Sequence, residues 1–273
     1  MFTINTNTAS LFGANNYKQT QDRLDDVTKM ISSGKRILSA KDDPAGIGIV
    51  STMKTQQMSY DMVSKNIDGG LSLLNVTSTS LQAQQDILTE LKGLATTAAS
   101  DLLTADQRSA VQAQFAELQS QLDNIVNEST LFDQNLISGS AADVDIQVGI
   151  NAGNTFTLTS AASDAATLGV DAGTIDITNA ANAAAAITAL DTAVGDVAVT
   201  QSSIGAQEVG LESLQRIAEN TSTNITSAIS RIEDADVPKL SAELAQLQLK
   251  MQLQTQMLGI SNQMPSYLLG LIR

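Results

Sequence analysis

The sequence predicts a mainly α-helical protein, an elongated antiparallel helical bundle that carries one small β-hairpin region. Three observations carry that prediction. Apolar residues advance in steps of three and four along most of the chain, as on one face of a helix. The step drops to two only over residues 143–160. Apolar content is ordinary at 42%, yet aromatics make up only 3% and Trp is absent, so Ala, Leu, Ile, Val and Met must fill the interior. Such side chains suit long packed helices.

The first helix starts near Thr8 and ends at Ser32-Ser33-Gly34, where the glycine supplies a C-terminal cap. Its apolar stripe is Tyr17, Leu24, Val27 and Ile31. A charged joint follows, with Lys35, Arg36, Lys41, Asp42 and Asp43. Asp43-Pro44 reads as an N-cap with proline at the first helical position. It opens a long helix that runs toward residue 99 along Ile47, Val50, Ile67, Leu74, Leu81, Leu88 and Ala95, with Gly69-Gly70 as a weak point. Thr104 and Gln107 form a capping box for a third helix, to about residue 127.

Val144, Ile146, Val148 and Ile150 then alternate with polar or small residues, and Phe156 and Leu158 alternate with Thr. Asn151-Ala152-Gly153-Asn154 supplies the turn of a hairpin. A short strand is expected at residues 174–178, before a second long helix over roughly 183–234. That helix has Ile187, Leu190, Val197, Ile204, Leu211, Ile217 and Ile229 on its apolar face. Pro238 interrupts it and opens the last helix. Leu240, Leu244, Leu247, Met251 and Leu258 form one stripe there, and Leu249, Leu253, Met257, Ile260, Met264 and Leu268 form another.

Two apolar stripes on one terminal helix are more than a single neighbouring helix can cover, although chain ends ordinarily fray. The terminal segments therefore look built to be surrounded. Met251, Met257 and Met264 suit an interface with slightly variable packing, because the thioether chain adapts to irregular gaps. The order of elements is close to a mirror image, which suggests antiparallel pairing of the two halves. Pairing would bring Lys35, Arg36 and Lys41 near Glu233, Asp234 and Asp236. The resulting organisation is an inner terminal-helix domain of residues 1–33 plus 238–273, joints at 34–43 and 233–237, and a helical bundle with its hairpin over 44–170 plus 183–232. Residues 171–182 make a short variable connection.

The net charge of -14 is concentrated in the middle. No Lys or Arg lies between Arg108 and Arg216, a stretch that holds Glu117, Asp123, Glu128 and ten further acidic residues. An acidic middle suits a solvated outer surface, and the near-neutral ends can be buried together at little electrostatic cost. Nucleic acid is not an expected partner. The absence of Cys excludes disulfides and thiolate sites, and the absence of His removes the commonest general base and metal ligand. Asp42-Asp43 or Asp234 with Asp236 could be imagined as metal or acid-base pairs, but Asp43 is explained as a cap and the others lie in a joint. No catalytic, cofactor or metal site is expected. The start of the chain lacks the basic and apolar regions of a signal peptide, and no run reads as long and apolar enough to span a bilayer, so neither a cleavable leader nor membrane insertion is expected. The triplets Asn75-Val76-Thr77 and Asn220-Thr221-Ser222 match a glycosylation pattern too common in such a chain to carry function.

Several runs go beyond pattern. Ile4-Asn5-Thr6-Asn7, and Ser32-Ser33-Gly34-Lys35-Arg36-Ile37-Leu38-Ser39-Ala40-Lys41-Asp42-Asp43-Pro44-Ala45-Gly46, resemble the N-terminal signature of bacterial flagellin, which tends to read INTN and SSGLRINSAKDDAAG. Ser230-Arg231-Ile232-Glu233-Asp234-Ala235-Asp236 resembles its SRIEDAD run, and the stretch from Asn262 to Arg273 its NQVPQNVLSLLR ending. Asp145-Ile146-Gln147-Val148-Gly149 resembles the IQVG strand. The motifs fall in the right order along nearly the whole chain. The resemblance implies a short flagellin without large outer domains, a homo-polymer of many copies whose terminal helices pair as a coiled coil in an extracellular filament used for swimming, with Tyr17, Leu24, Val27, Ile31, Leu240, Leu244, Leu247, Met251, Leu253, Met257, Leu258, Ile260, Met264 and Leu268 at the subunit-subunit interface. It further implies the flagellar export apparatus, a flagellin secretion chaperone, and filament cap and hook-junction proteins as partners. The alternative is a flagellin-like hook-filament junction protein.

The chain departs from the family pattern in places. Pro238 stands where flagellins usually carry another residue, and Gly210 weakens a turn of the late helix by roughly 0.5 to 1 kcal/mol. Leu88, Glu90, Lys92 and Leu94 correspond to the segment that, in stimulatory flagellins, is read by an innate immune Toll-like receptor and often runs LQRVRELA. Glu90 takes the position of an Arg, and weak receptor activation is the expected result.

Overall fold

The computed structural model describes residues 7–271, with side chains through Gln263. Among the described residues the order is α1 (Thr8–Ser33), α2 (Pro44–Ala98), α3 (Ala105–Glu128), β1 (Val144–Gln147), β2 (Thr155–Leu158), α4 (Ala180–Glu233) and α5 (Val237–Leu271). Two compact units result, residues 1–55 with 224–273, and residues 56–223.

Capping chemistry explains the boundaries. Gly34 ends α1 in the left-handed region at φ 70°, a conformation that costs a side-chain-bearing residue. Asp43 Oδ1 accepts from the Gly46 amide at 2.8 Å and starts α2. In α3 the Thr104 hydroxyl accepts from the Gln107 amide at 3.3 Å while Gln107 Oε1 accepts from the Thr104 amide at 3.0 Å, a complete capping box. Asn179 caps α4 by accepting from the Asn182 amide at 2.8 Å. That cap moves the start of α4 three residues ahead of the sequence expectation.

In the unit of residues 56–223, α2 and α4 pair antiparallel along a seven-residue repeat. Ile67, Leu74, Leu81, Leu88 and Ala95 of α2 are fully buried, as are Ala183, Ala186, Leu190, Ala193, Val197 and Leu211 of α4. Such a spacing keeps one seam against a neighbouring helix. Polar bonds confirm the direction: Ser222 donates to Asp61 at 3.3 Å, Gln215 to Asp68 at 2.7 Å, and Lys92 pairs with Asp191 farther along. Phe115 and Leu122 of α3, with Leu136, Ile137, Leu158 and Ile177, complete this core. Ile217, expected on the inner face of α4, is 58% exposed, and its neighbour Ala218 turns inward.

The strands pair antiparallel with Val144 opposite Leu158 and Gln147 opposite Thr155. Gly153, at φ 85°, forms the turn. Two glycines seat the hairpin on the helices. A Cβ on Gly70 would lie 3.1 Å from Leu211 Cδ1 and 3.3 Å from Ile146 Cγ1, and one on Gly210 would lie 3.1 Å from Phe156 Cζ. Both glycines read in sequence as weak points of their helices. In the fold they are where other elements come closest.

Residues 174–178 are not a strand. The Thr174 and Ile175 amides bond back to the Asp171 carbonyl, and the Ile177 amide donates to Gln112 Oε1 at 2.7 Å. Ile177, its amide held by Gln112, is fully buried in the core with Phe115 and Leu122 of α3. Asp176 is held below the usual carboxylate range, chiefly by the Asn182 side-chain hydrogen bond and then by Thr178. The reading that no run is apolar enough to cross a membrane also needs correction. One stretch of α4 reaches a mean hydropathy of 1.3. Its Ala-rich composition is responsible, and its Ala183, Ala186, Leu190 and Val197 pack into the protein core.

Candidate assembly surface and joint

Helices α1 and α5 form an antiparallel hairpin. Asn7 Nδ2 donates to the Ser261 carbonyl at 2.8 Å, the Ser10 hydroxyl to Asn262 at 2.7 Å, and Arg23 pairs with Glu243 at 2.8 Å. Between these polar contacts the backbones approach closely at Gly13, where a Cβ would stand 2.9 Å from Leu258 Cδ2. Val27 is fully buried, and Tyr17, Leu24 and Ile31 are half-buried. On α5, Leu240, Leu244, Leu247, Met251 and Leu258 are likewise half-buried. This stripe, expected at the interface between subunits, packs toward α1 of the same chain.

The second stripe is largely open to solvent among the described residues. Leu249, Leu253, Met257 and Ile260 are 61%, 55%, 68% and 62% exposed. At about 100° per residue they lie on the side of α5 opposite Leu247 and Leu258, so one packed neighbour cannot cover both rows. On α1, Leu11 and Phe12 are also exposed. The side chains of Met264 and Leu268 lie outside the described residues. Four large apolar groups open along about 17 Å of one helix exceed the scattered exposure common on monomer surfaces.

Behind this hairpin lies the joint. The Arg36 amide donates to the Glu233 carbonyl at 2.6 Å and the Ala235 amide to the Gly34 carbonyl at 2.9 Å, joining the two connecting segments by their backbones. Glu233, whose side chain is only 11% exposed, accepts Lys35 Nζ at 2.8 Å and Lys54 Nζ at 2.7 Å. The Lys35 and Lys54 hydrogen bonds hold the Glu233 carboxyl below its ordinary range, and the same Glu233 bond raises Lys35. Arg36 also donates to the Ile232 carbonyl and lies 3.7 Å from Asp43. Asp42 is lowered by the Ser39 and Leu38 amides, which it gathers into a turn.

Of the charges expected to meet, Lys35 and Arg36 reach Glu233 or its backbone. Asp234 lies opposite Lys35 in an isolated antiparallel bridge, while its carboxylate accepts from Ser230 at 2.6 Å; Asp236 caps α5 through the Lys239 amide at 3.1 Å. Lys41 is exposed and forms no ion pair among the described residues. Lys54 was not readable as a partner, being 179 residues from Glu233 with no local pattern linking them. The segment likened to a receptor-read region divides by burial. Leu88 is fully buried and Leu94 half-buried, Glu90 is exposed, and Lys92 is engaged by Asp191.

A helical hairpin packed on one side and carrying exposed apolar residues on the other is the architecture of a helical protein with a surface open to association. Comparison with known proteins identifies which. The description "Bacterial flagellin N-terminal helical region" matches residues 4–142, and "Bacterial flagellin C-terminal helical region" matches residues 187–272. The chain is 30% identical to a flagellin of Halalkalibacterium halodurans over 243 residues, 89% of each chain. It is 29% identical to flagellin FljM of Caulobacter vibrioides over 273 residues, covering 99% of this chain and 98% of the other. The crystal structure of Bacillus cereus flagellin superposes with a TM-score of 0.52 at 24% identity, over 60% of this chain and 94% of that one, a likeness of fold.

The chain belongs to the bacterial flagellin family. It is a structural subunit of the self-assembled flagellar filament, a component of the extracellular flagellum, and not an enzyme. The junction-protein alternative is not favoured by relatives that are flagellins over nearly their full length.

Proposed function

We propose that the α1–α5 hairpin is the part of the subunit that holds the filament together. Tyr17, Leu24, Val27, Ile31, Leu240, Leu244, Leu247, Met251 and Leu258 build the hairpin, and Leu253, Met257 and Ile260 meet neighbouring copies. The open stripe on α5 carries this reading, because four large apolar side chains in one row are more than half exposed among the described residues. A contact between different surfaces of successive copies does not close on itself and generates an open helix. The joint of Lys35, Arg36 and Glu233 ties the two connecting segments together at the base of the hairpin, and the acidic middle suits a solvated surface. Residues 171–182 occupy the place where longer flagellins carry outer domains.

Passage through the flagellar export apparatus with a secretion chaperone, and contact with cap and hook-junction proteins, extend the same reading from the family. Glu90, exposed where stimulatory members carry Arg, supports weak activation of the Toll-like receptor. Electron microscopy of the purified protein and of a variant lacking residues 238–273 tests the central claim. Long filaments from the full chain alone are expected, and normal polymerisation of the shortened chain would refute it.

A further inference from the structure

We infer that the groove between α2 and α3 is a docking surface for a cationic amphipathic helix of a partner protein, with Leu94 and Leu118 as its floor and Glu90 and Glu117 on its two rims. The groove has a volume of about 490 Å³ and is lined by Glu90, Leu94, Ala113, Gln114, Glu117 and Leu118. All of it lies within the unit of residues 56–223. It is an open cleft between two helices, which suits a helix laid lengthwise better than an enclosed small molecule.

Helix geometry builds the floor. Leu94 and Ile87, two turns apart, lie within about 20° of one another on α2, at the edge of the face that carries Leu91 and Ala95 into the core. Leu118 holds the corresponding place on α3, beside Phe115 and Leu122. Ile87, Leu94 and Leu118 pack against the core and are half-buried, so each keeps an aliphatic edge open for a second apolar row. The turn joining α2 to α3 closes one end of the cleft and displays Leu102, which is 92% exposed. Arg108 braces that turn by donating to the Ala98 carbonyl and, at 3.2 Å, to the Ser100 carbonyl.

Charge selects the occupant. Glu90 on α2 and Glu117 on α3 are exposed, and Asp86 stands one turn before Glu90 on the same rim. None of the three has an ion pair among the described residues. The cations nearest in sequence are engaged elsewhere: Lys92, on the other side of α2, is held by Asp191, and Arg108 is spent on the turn. The next basic residue along the chain is Arg216. An acidic helix in this cleft would set like charges against both rims, whereas Lys or Arg on both flanks of an apolar stripe finds a carboxylate on each side. The complementary ligand is therefore a helix with Leu at positions i, i+4 and i+7 and basic residues beside them.

A fluorescent peptide of that pattern, titrated into the purified full chain as monomer and followed by anisotropy, tests the inference without depending on the filament reading. Saturable one-to-one binding is expected. E90Q/E117Q should weaken it by at least about tenfold with unchanged helicity, and Leu94→Ala should weaken it as well. E212Q/E219Q, which removes the same charge from exposed positions of α4, should stay within about twofold of the parent. A scrambled peptide of equal composition, lacking the apolar stripe, should bind at least about tenfold more weakly. Equal binding of the scrambled peptide, or an equal loss in E212Q/E219Q, would reduce the effect to bulk charge and overturn the proposal. Full affinity in E90Q/E117Q would overturn it too. If the peptide fails to bind while E90Q/E117Q raises the critical concentration for polymerisation, the cleft belongs to a second copy and the proposal is wrong.

Discussion

Replacing Ile260 with Ala should weaken the polymer and leave the subunit intact. Ile260 is 62% exposed within the single chain, so most of its hydrophobic contribution is unrealised until another surface covers it. Full burial of such a side chain is worth about 1.5 to 3 kcal/mol, and the exposed fraction therefore about 1 to 2 kcal/mol. At 1.4 kcal/mol per factor of ten, the critical concentration should rise about 5- to 30-fold. The isolated subunit loses little, and the better helix propensity of Ala offsets part of that loss. Leu258→Ala is the matched control. It removes the contact with Gly13 and should lower the stability of the hairpin as well as assembly. Critical concentrations come from sedimentation of polymer at equilibrium, and subunit stability from thermal unfolding followed by circular dichroism. A lowered melting temperature for Ile260→Ala with an unchanged critical concentration would refute the reasoning, because the side chain would then be serving the monomer.

Glu233→Gln should destabilise the residue 1–55 and 224–273 unit at pH 7 by about 1 to 2 kcal/mol, a value discounted because both lysines are nearly half exposed. Since the folded-state pKa of Glu233 is lowered from 4.5, its contribution is fully present above that value and fades as pH falls through the lowered one. The gap between parent and variant in urea unfolding should accordingly shrink on acidification, and a gap that stays constant to pH 2 would show that the charge is not involved. Gly46→Ala places a Cβ 2.5 Å from the Asp43 carboxylate and 2.9 Å from Ile37 Cδ1, so it should cost about 1 to 3 kcal/mol and speed hydrogen exchange in the first turn of α2. Phe115→Ala, at a fully buried position among α2, α3 and α4 side chains, should cost about 3 to 5 kcal/mol by chemical denaturation while leaving the assembly stripe unchanged.

The caps at Gly34, Asp43 and Thr104, the hairpin around Gly153, and the runs of apolar residues with period near 3.6 are all local, and each was legible because a few neighbouring residues decide it. The two stripes on the last helix were legible for the same reason, as was their excess over what one partner can cover. Which stripe would be covered was not. That choice depended on Gly13, whose missing Cβ lets Leu258 and its row approach α1, a relation between residues 245 positions apart. Gly70 and Gly210 show the same limit from the other side. Propensity marks them as helix weaknesses, whereas the fold uses the vacated space for Ile146 and Phe156. Lys54 joined Glu233 only because packing brought α2 beside the end of α4, and 174–178 is no strand because its amides are taken by the Asp171 carbonyl and the Gln112 side chain. The sequence alone determined the elements, their order, the charge separation and the surplus of apolar surface at the ends, since these follow from short-range sterics and periodicity. Tertiary structure decided which faces meet and which side of α5 stays open, since only the folded chain sets the distances between residues far apart in sequence.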